Sequence, residues 1–336
     1  METVRPQNAA SEELKPLTDR ILARLPEPRV VWVTVWMLVP WVNAALTLML
    51  RANARTLSWQ SPTRVLLTRA AFSFAILLSL WGATQIARRL GELRSRLAGL
   101  AGEDTDPMGP FHGIDSTAAP LILTAATVVV FGAQAVVEED WSRGIVAGGA
   151  WLFIGLAMWT FFWAYLKLQI GLHRLGRRPL SLEPYPGDRS LGLRPVGRLA
   201  FTGFWTFVAA LAPLLVATGP DRFGLSVGLL VLLGGVAAFF LSLRRLNRQM
   251  VAAKERELTW VRYLYAQAFR PVREAGTLEA LQHQASLLSA AEALEKRAER
   301  IQEWPFDEGM FTRVVAISST VVAAILARLL LAPFGI

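Results

Sequence analysis

A chain of 336 residues that is 53% hydrophobic and 18% charged exceeds the usual globular share of roughly 45–50% apolar and falls below the usual 25% or so charged. It contains no cysteine, which excludes disulfides and thiolate catalysis. Its net charge of +9 raises the question of nucleic acid, but the basic residues flank long apolar blocks, where positive charge sets membrane orientation, so no nucleic-acid partner is expected.

The first 29 residues are largely polar. Within them Leu17, Ile21 and Leu25 alternate with Arg20 and Arg24 between Pro16 and Pro26, a pattern that predicts a short interfacial helix. A hydrocarbon core about 30 Å thick requires about 20 mostly apolar residues in a helix, and seven runs qualify. They are Val30 to Leu50, Val65 to Ala87, Pro120 to Val137, Ile145 to Tyr165, Leu199 to Ala217, Gly224 to Leu243 and Val314 to Pro333. The first has Ala52-Asn53-Ala54 behind it, as a signal peptide might, yet it is long enough to span and a polar stretch precedes it, so it is read as an uncleaved first span. Backbone groups cannot stay unpaired in lipid, so each run is expected to be helical.

The basic residues give a direction. With the N-terminus inside, the cytoplasmic segments hold 5, 4, 7 and 12 Lys and Arg in turn, whereas the opposite side holds only Arg51, Arg55, Arg64, Arg143 and Arg222. That satisfies the positive-inside rule at every loop pair and leaves the C-terminus outside. Arginine outnumbers lysine 31 to 4, in keeping with a GC-rich bacterial genome and a place in the bacterial cytoplasmic membrane.

Between the sixth and seventh runs lies a long charged segment. Leu246, Met250, Leu258, Val261, Tyr265 and Ala268 recur near helical spacing, as do Leu278, Leu281, Ala285, Leu288, Ala291, Leu294, Ala298 and Ile301. Pro271 and Gly276 interrupt them. The two arms, Arg244–Arg270 and Thr277–Glu303, are each 27 residues, about 40 Å at about 1.5 Å per residue. Equal arms predict an antiparallel cytoplasmic hairpin. Trp304, Pro305, Phe306 and Asp307 form its return: an interface-seeking indole, a helix stop and a cap for the next helix. The hairpin is either a self-covering spacer or a surface shared between subunits or with a cytosolic protein.

The fold expected is therefore all-α: a polytopic membrane protein of about seven transmembrane helices with a cytoplasmic antiparallel helical hairpin between the sixth and seventh. Its parts are a cytoplasmic segment 1–29, a six-helix transmembrane region 30–243, the hairpin 244–303, and an interfacial turn with the seventh helix 304–336. Two stretches carry a resemblance. One runs from Leu246-Asn247-Arg248 through Lys254-Glu255-Arg256-Glu257-Leu258 to Trp304-Pro305-Phe306 and the last span; the other is Asp188 to Leu199, with Gly192-Leu193-Arg194-Pro195-Val196-Gly197. Here the chain resembles a group of uncharacterised multi-pass membrane proteins of bacteria and archaea. The resemblance implies shared architecture and no established activity.

No phosphate-binding Gly-rich loop, His-Glu-x-x-His pair or Gly-x-Ser-x-Gly elbow occurs, so no catalytic residue is assigned. His112, His173 and His283 are too far apart for a metal motif, and the acidic cluster Glu103, Asp104 and Asp106 reads as a solvated turn, with too few oxygen ligands for calcium. Neither cofactor nor metal is expected. Only Arg69 and Arg328 are charged within spans. They either snorkel to the outer headgroups or pair with Glu138, Glu139 or Asp221. No carboxylate lies within a span, which weighs against ion-coupled transport.

Pro40, with Asn43 after it, and Pro213 are candidate hinges. Gly144-x-x-x-Gly148 and Gly224-x-x-x-Gly228 favour close helix contact. Arg174, Arg177 and Arg178 form a basic cluster next to the membrane that would attract anionic lipid. The functional expectation is a non-enzymatic protein that binds membrane lipid and assembles as a homo-oligomer, acting as an anion-leaning channel or a sensor of membrane state. The alternatives are a transporter of a small or lipophilic solute and a scaffold or lipid-binding protein.

Overall fold

The computed structural model describes residues 14–53, 62–101, 106–138, 140–182, 189–217, 222–274, 278–306 and 308–331. These residues are helical almost throughout: α1 (Leu17–Ala23), α2 (Arg29–Asn53), α3 (Pro62–Ala101), α4 (Ala118–Glu138), α5 (Trp141–Leu175), α6 (Arg194–Ala217), α7 (Arg222–Glu274), α8 (Leu278–Glu299) and α9 (Glu308–Leu331). Among the described residues seven helices, α2 to α7 and α9, are long and apolar enough to cross a membrane. Helices α2 to α7 each contain one of the first six runs and α9 covers the seventh as far as Leu331, so the described residues form an all-helical protein compatible with a place in the bilayer.

Three of these helices are much longer than a bilayer requires. α3, α5 and α7 have 40, 35 and 53 residues, or about 60, 52 and 80 Å at about 1.5 Å per residue, against a core of about 30 Å. The surplus lies at the C-terminal end of each, and hydropathy alone reads it as loop. Lys167–Leu175 belongs to α5, Arg194–Arg198 to α6 and Arg88–Arg96 to α3. The reason is a continued helical-period stripe: Leu90, Leu93 and Leu97 of α3 and Leu168, Leu172 and Leu175 of α5 are all buried. They share one core with Phe111, Ile114, Leu193, Leu246, Met250 and Phe306. The bundle therefore continues past its greasy section as a collar whose outer faces are charged.

α1 closes this collar instead of lying free at the interface. Leu17 and Leu22 are buried against the protein, Asp19 accepts from the Thr84 hydroxyl at 2.8 Å, and Arg20 bridges to Asp115 at 3.1 Å.

Within the spans α6 is the most enclosed helix, while α2, α4 and α9 lie at the periphery. Small residues set the closest approaches. A Cβ at Gly144 of α5 would overlap Val136 of α4, and one at Gly228 or Gly235 of α7 would overlap Leu215 or Phe207 of α6. The surroundings of Gly224 lie outside the described residues.

α7 runs from the sixth apolar run through the charged segment to Glu274 without a break. It thus passes through Pro271, where a break was expected. α8 lies antiparallel to its distal half: Lys254 meets Glu303 at 3.2 Å and Arg262 approaches Glu295 to 3.9 Å, so eight residues forward on α7 answer eight residues back. Ala253, Ala298, Ile301 and Leu191 form a small separate core at the base of this pair.

Candidate functional site

The polar groups that α5 and α7 bury together define the site. On α5, Leu166, Gln169, Ile170, His173, Arg174 and Arg177 fall on one helical face or just past its end. On α7, Ala238, Leu241 and Ser242 do the same, and the two faces enclose a crevice of about 370 Å³. Gln169 and Ser242 are each 3% exposed. The Ser242 hydroxyl donates to Gln169 Oε1 at 2.6 Å, while the Gln169 amide nitrogen has no hydrogen-bond partner. One turn deeper the Tyr165 hydroxyl donates to the Gly235 carbonyl at 3.1 Å. Its ring stacks on Phe207 at 4.7 Å.

The crevice straddles the edge of the apolar section. The α5 run ends at Tyr165 and the α7 run at Leu243, so Gln169 and Ser242 mark the boundary, and His173 and Arg177 lie about 6 and 12 Å beyond Gln169 along the axis. None of the nine lining residues is acidic. Gln249, farther along α7, donates to the Gly176 and Arg178 carbonyls at 2.8 and 2.7 Å, which satisfies carbonyls left open where α5 ends. Comparison with protein-family models, curated proteins and solved structures finds no match. The site is therefore read from its own geometry.

The three arginines of the basic cluster separate. Arg174 and Arg177 line the crevice, whereas Arg178 turns away and donates to the Asp106 carbonyl at 2.7 Å. Arg69 is half-buried in α3, and its Nε lacks a partner. Glu138, one proposed partner for it, instead accepts from Gln134 at 2.8 Å. Glu139 and Asp221 lie outside the described residues, as does the side chain of Arg328.

Pro40 is buried inside α2, and its neighbourhood is clamped. The Met37 carbonyl, a turn before the proline, accepts from Ser73 of α3 at 2.6 Å, and the Trp41 indole donates to the same Ser73 at 3.0 Å. Trp36 donates to the Phe153 carbonyl of α5 at 2.7 Å. Asn43 Oδ1 has no partner. Pro213 lies inside α6, half-buried.

At the return from α8, Phe306 is buried and Trp304 packs on it at 5.5 Å, with Phe240 and Phe311 beside them. The Gln302 amide donates to the Arg189 carbonyl at 2.8 Å, and the Asn247 side-chain amide to the Glu303 carbonyl at 2.8 Å. Asp307 lies outside the described residues. Sequence reasoning missed Gln169, Ser242 and Gln249. The signal for the first was the mixed face of α5, neither wholly apolar nor wholly charged at its end.

Proposed function

We propose that the chain is a non-enzymatic protein of the bacterial cytoplasmic membrane that senses the state of the bilayer and relays it to a cytoplasmic helical arm. The observation that carries this reading is the unbroken course of α7 from span to arm over 53 residues. A helix without a joint transmits tilt or rotation from one end to the other, because its hydrogen-bond ladder resists local bending. Conduction along the single-chain axis has less support, since Phe161, Tyr165, Phe204, Phe207 and Phe239 fill the interior.

A second reading, assembly through the arm, is favoured by Trp260, Tyr263 and Leu287, which are large apolar side chains exposed beyond the apolar section. They suit a second copy of the chain or a cytosolic protein.

The absence of cysteine makes the test direct. Spin labels at Gly91→Cys, where a side chain meets nothing within 4 Å, and at exposed Glu255→Cys report the distance from collar to arm. Sensing predicts that the distribution shifts between zwitterionic and anionic vesicles or under osmotic tension. An unchanged distribution in every condition counts against it.

A further inference from the structure

We propose that the α5–α7 crevice binds the headgroup phosphate of an anionic phospholipid, with an acyl chain lying along Leu166, Ile170, Ala238 and Leu241. This rests on the sensing reading and supplies its ligand. Three observations converge. First, the crevice changes character along its length as a phospholipid does. Its membrane-side wall is apolar and open to lipid, with Leu166 and Leu241 46% and 58% exposed, and its far rim is His173, Arg174 and Arg177.

Second, the charge is uncompensated. No acidic residue lines the crevice, and among the described residues no ion pair engages Arg174 or Arg177. Two guanidinium groups at the level where phosphates reside attract them strongly, and their fork of donors matches a phosphodiester. Third, the floor holds a buried amide secured at its oxygen by Ser242, while its nitrogen has only the Tyr165 hydroxyl nearby and makes no hydrogen bond of good geometry. A buried polar atom in that condition costs free energy that a ligand oxygen or hydroxyl would recover. Membrane-edge charge alone would not require such a floor.

The test uses the full chain, purified in detergent and exchanged into nanodiscs of phosphatidylcholine doped with phosphatidylglycerol. Bound lipid is counted by native mass spectrometry. The wild type is expected to retain phosphatidylglycerol selectively, and the double variant Arg174→Gln with Arg177→Gln to hold it roughly thirtyfold more weakly, as removal of two membrane-edge charges implies. Ala238→Phe, which leaves the charges and fills the apolar wall, is expected to lose retention as well. Arg88→Gln with Arg94→Gln, on the exposed face of α3, is expected to keep it.

Equal retention by wild type and double variant, or no preference over phosphatidylcholine, overturns the proposal. Displacement of the lipid by millimolar inorganic phosphate overturns the lipid assignment in favour of a free anion. The spin-label distance is read on the same samples. Loss of lipid with an intact arm response sinks this site alone, whereas retained lipid with a silent arm sinks the sensing reading and leaves the site standing.

Discussion

The Pro305 carbonyl oxygen lies so close to Gly197 that a side chain of any size at that position would overlap it. Gly197 is in the first turn of α6 and Pro305 is on the return from α8. The arm is thereby seated backbone to backbone on the start of an enclosed helix. Gly197→Ala has to displace main chain, and overpacking of this kind costs about 1–3 kcal/mol. A lowered melting temperature in detergent is expected, with loosening concentrated around Trp304 and readable as faster amide exchange there. Gly99→Ala, where nothing lies within 4 Å, serves as the control and should be neutral or stabilising.

Ser73 joins α2 to α3 by giving its proton to Met37 and receiving one from Trp41. Replacement by alanine leaves the Trp41 indole N–H without its acceptor in an apolar setting and strips the Met37 carbonyl of its second donor, at about 1–3 kcal/mol. Thermal unfolding of Ser73→Ala should show that loss, and Ser73→Thr should restore most of it.

Asp140 caps α5. The Ser142 hydroxyl and then the Arg143 amide hold its carboxyl below the usual range. A carboxyl depressed in the folded state contributes stability at pH values above its unfolded pKa of about 3.9. That contribution is lost as pH falls through the folded value. Amide exchange at Arg143 and Gly144, taken relative to its intrinsic rate at each pH, should therefore become faster in acid in the wild type. In Asp140→Ala it should be fast already at neutral pH.

Continuity of α7 is open to direct attack at Arg248, which is exposed and lies between the crevice and the arm tip. Arg248→Pro removes one ladder hydrogen bond and costs about 3 kcal/mol locally. The spans should still insert, while the Gly91 to Glu255 distance should cease to follow lipid composition. A distance that still tracks lipid in this variant would argue that the signal travels by another route.

The seven long apolar helices were legible because a bilayer asks for length and greasiness in each segment independently of all others. The antiparallel α7–α8 pair was nearly as plain, since its apolar stripe repeats within each arm. The collar was harder to see. Leu90, Leu93 and Leu97 stand among Arg88, Arg89, Glu92, Arg94 and Arg96, so an average over the window cancels what the period would reveal. The site was beyond reach for a different reason: Gln169 and Ser242 become neighbours only when α5 and α7 pack. No spacing in the chain encodes that meeting, just as none encodes the approach of Pro305 to Gly197.

Gln249 holds α7 to the end of α5 by two hydrogen bonds, seven residues past Ser242 and 25 short of Glu274. At about 1.5 Å per residue those lengths are roughly 10 and 38 Å. On the proposed relay, Gln249 serves as the rowlock of an oar with unequal ends: a nudge of the rod beside the crevice swings its outboard tip the opposite way, about three and a half times as far.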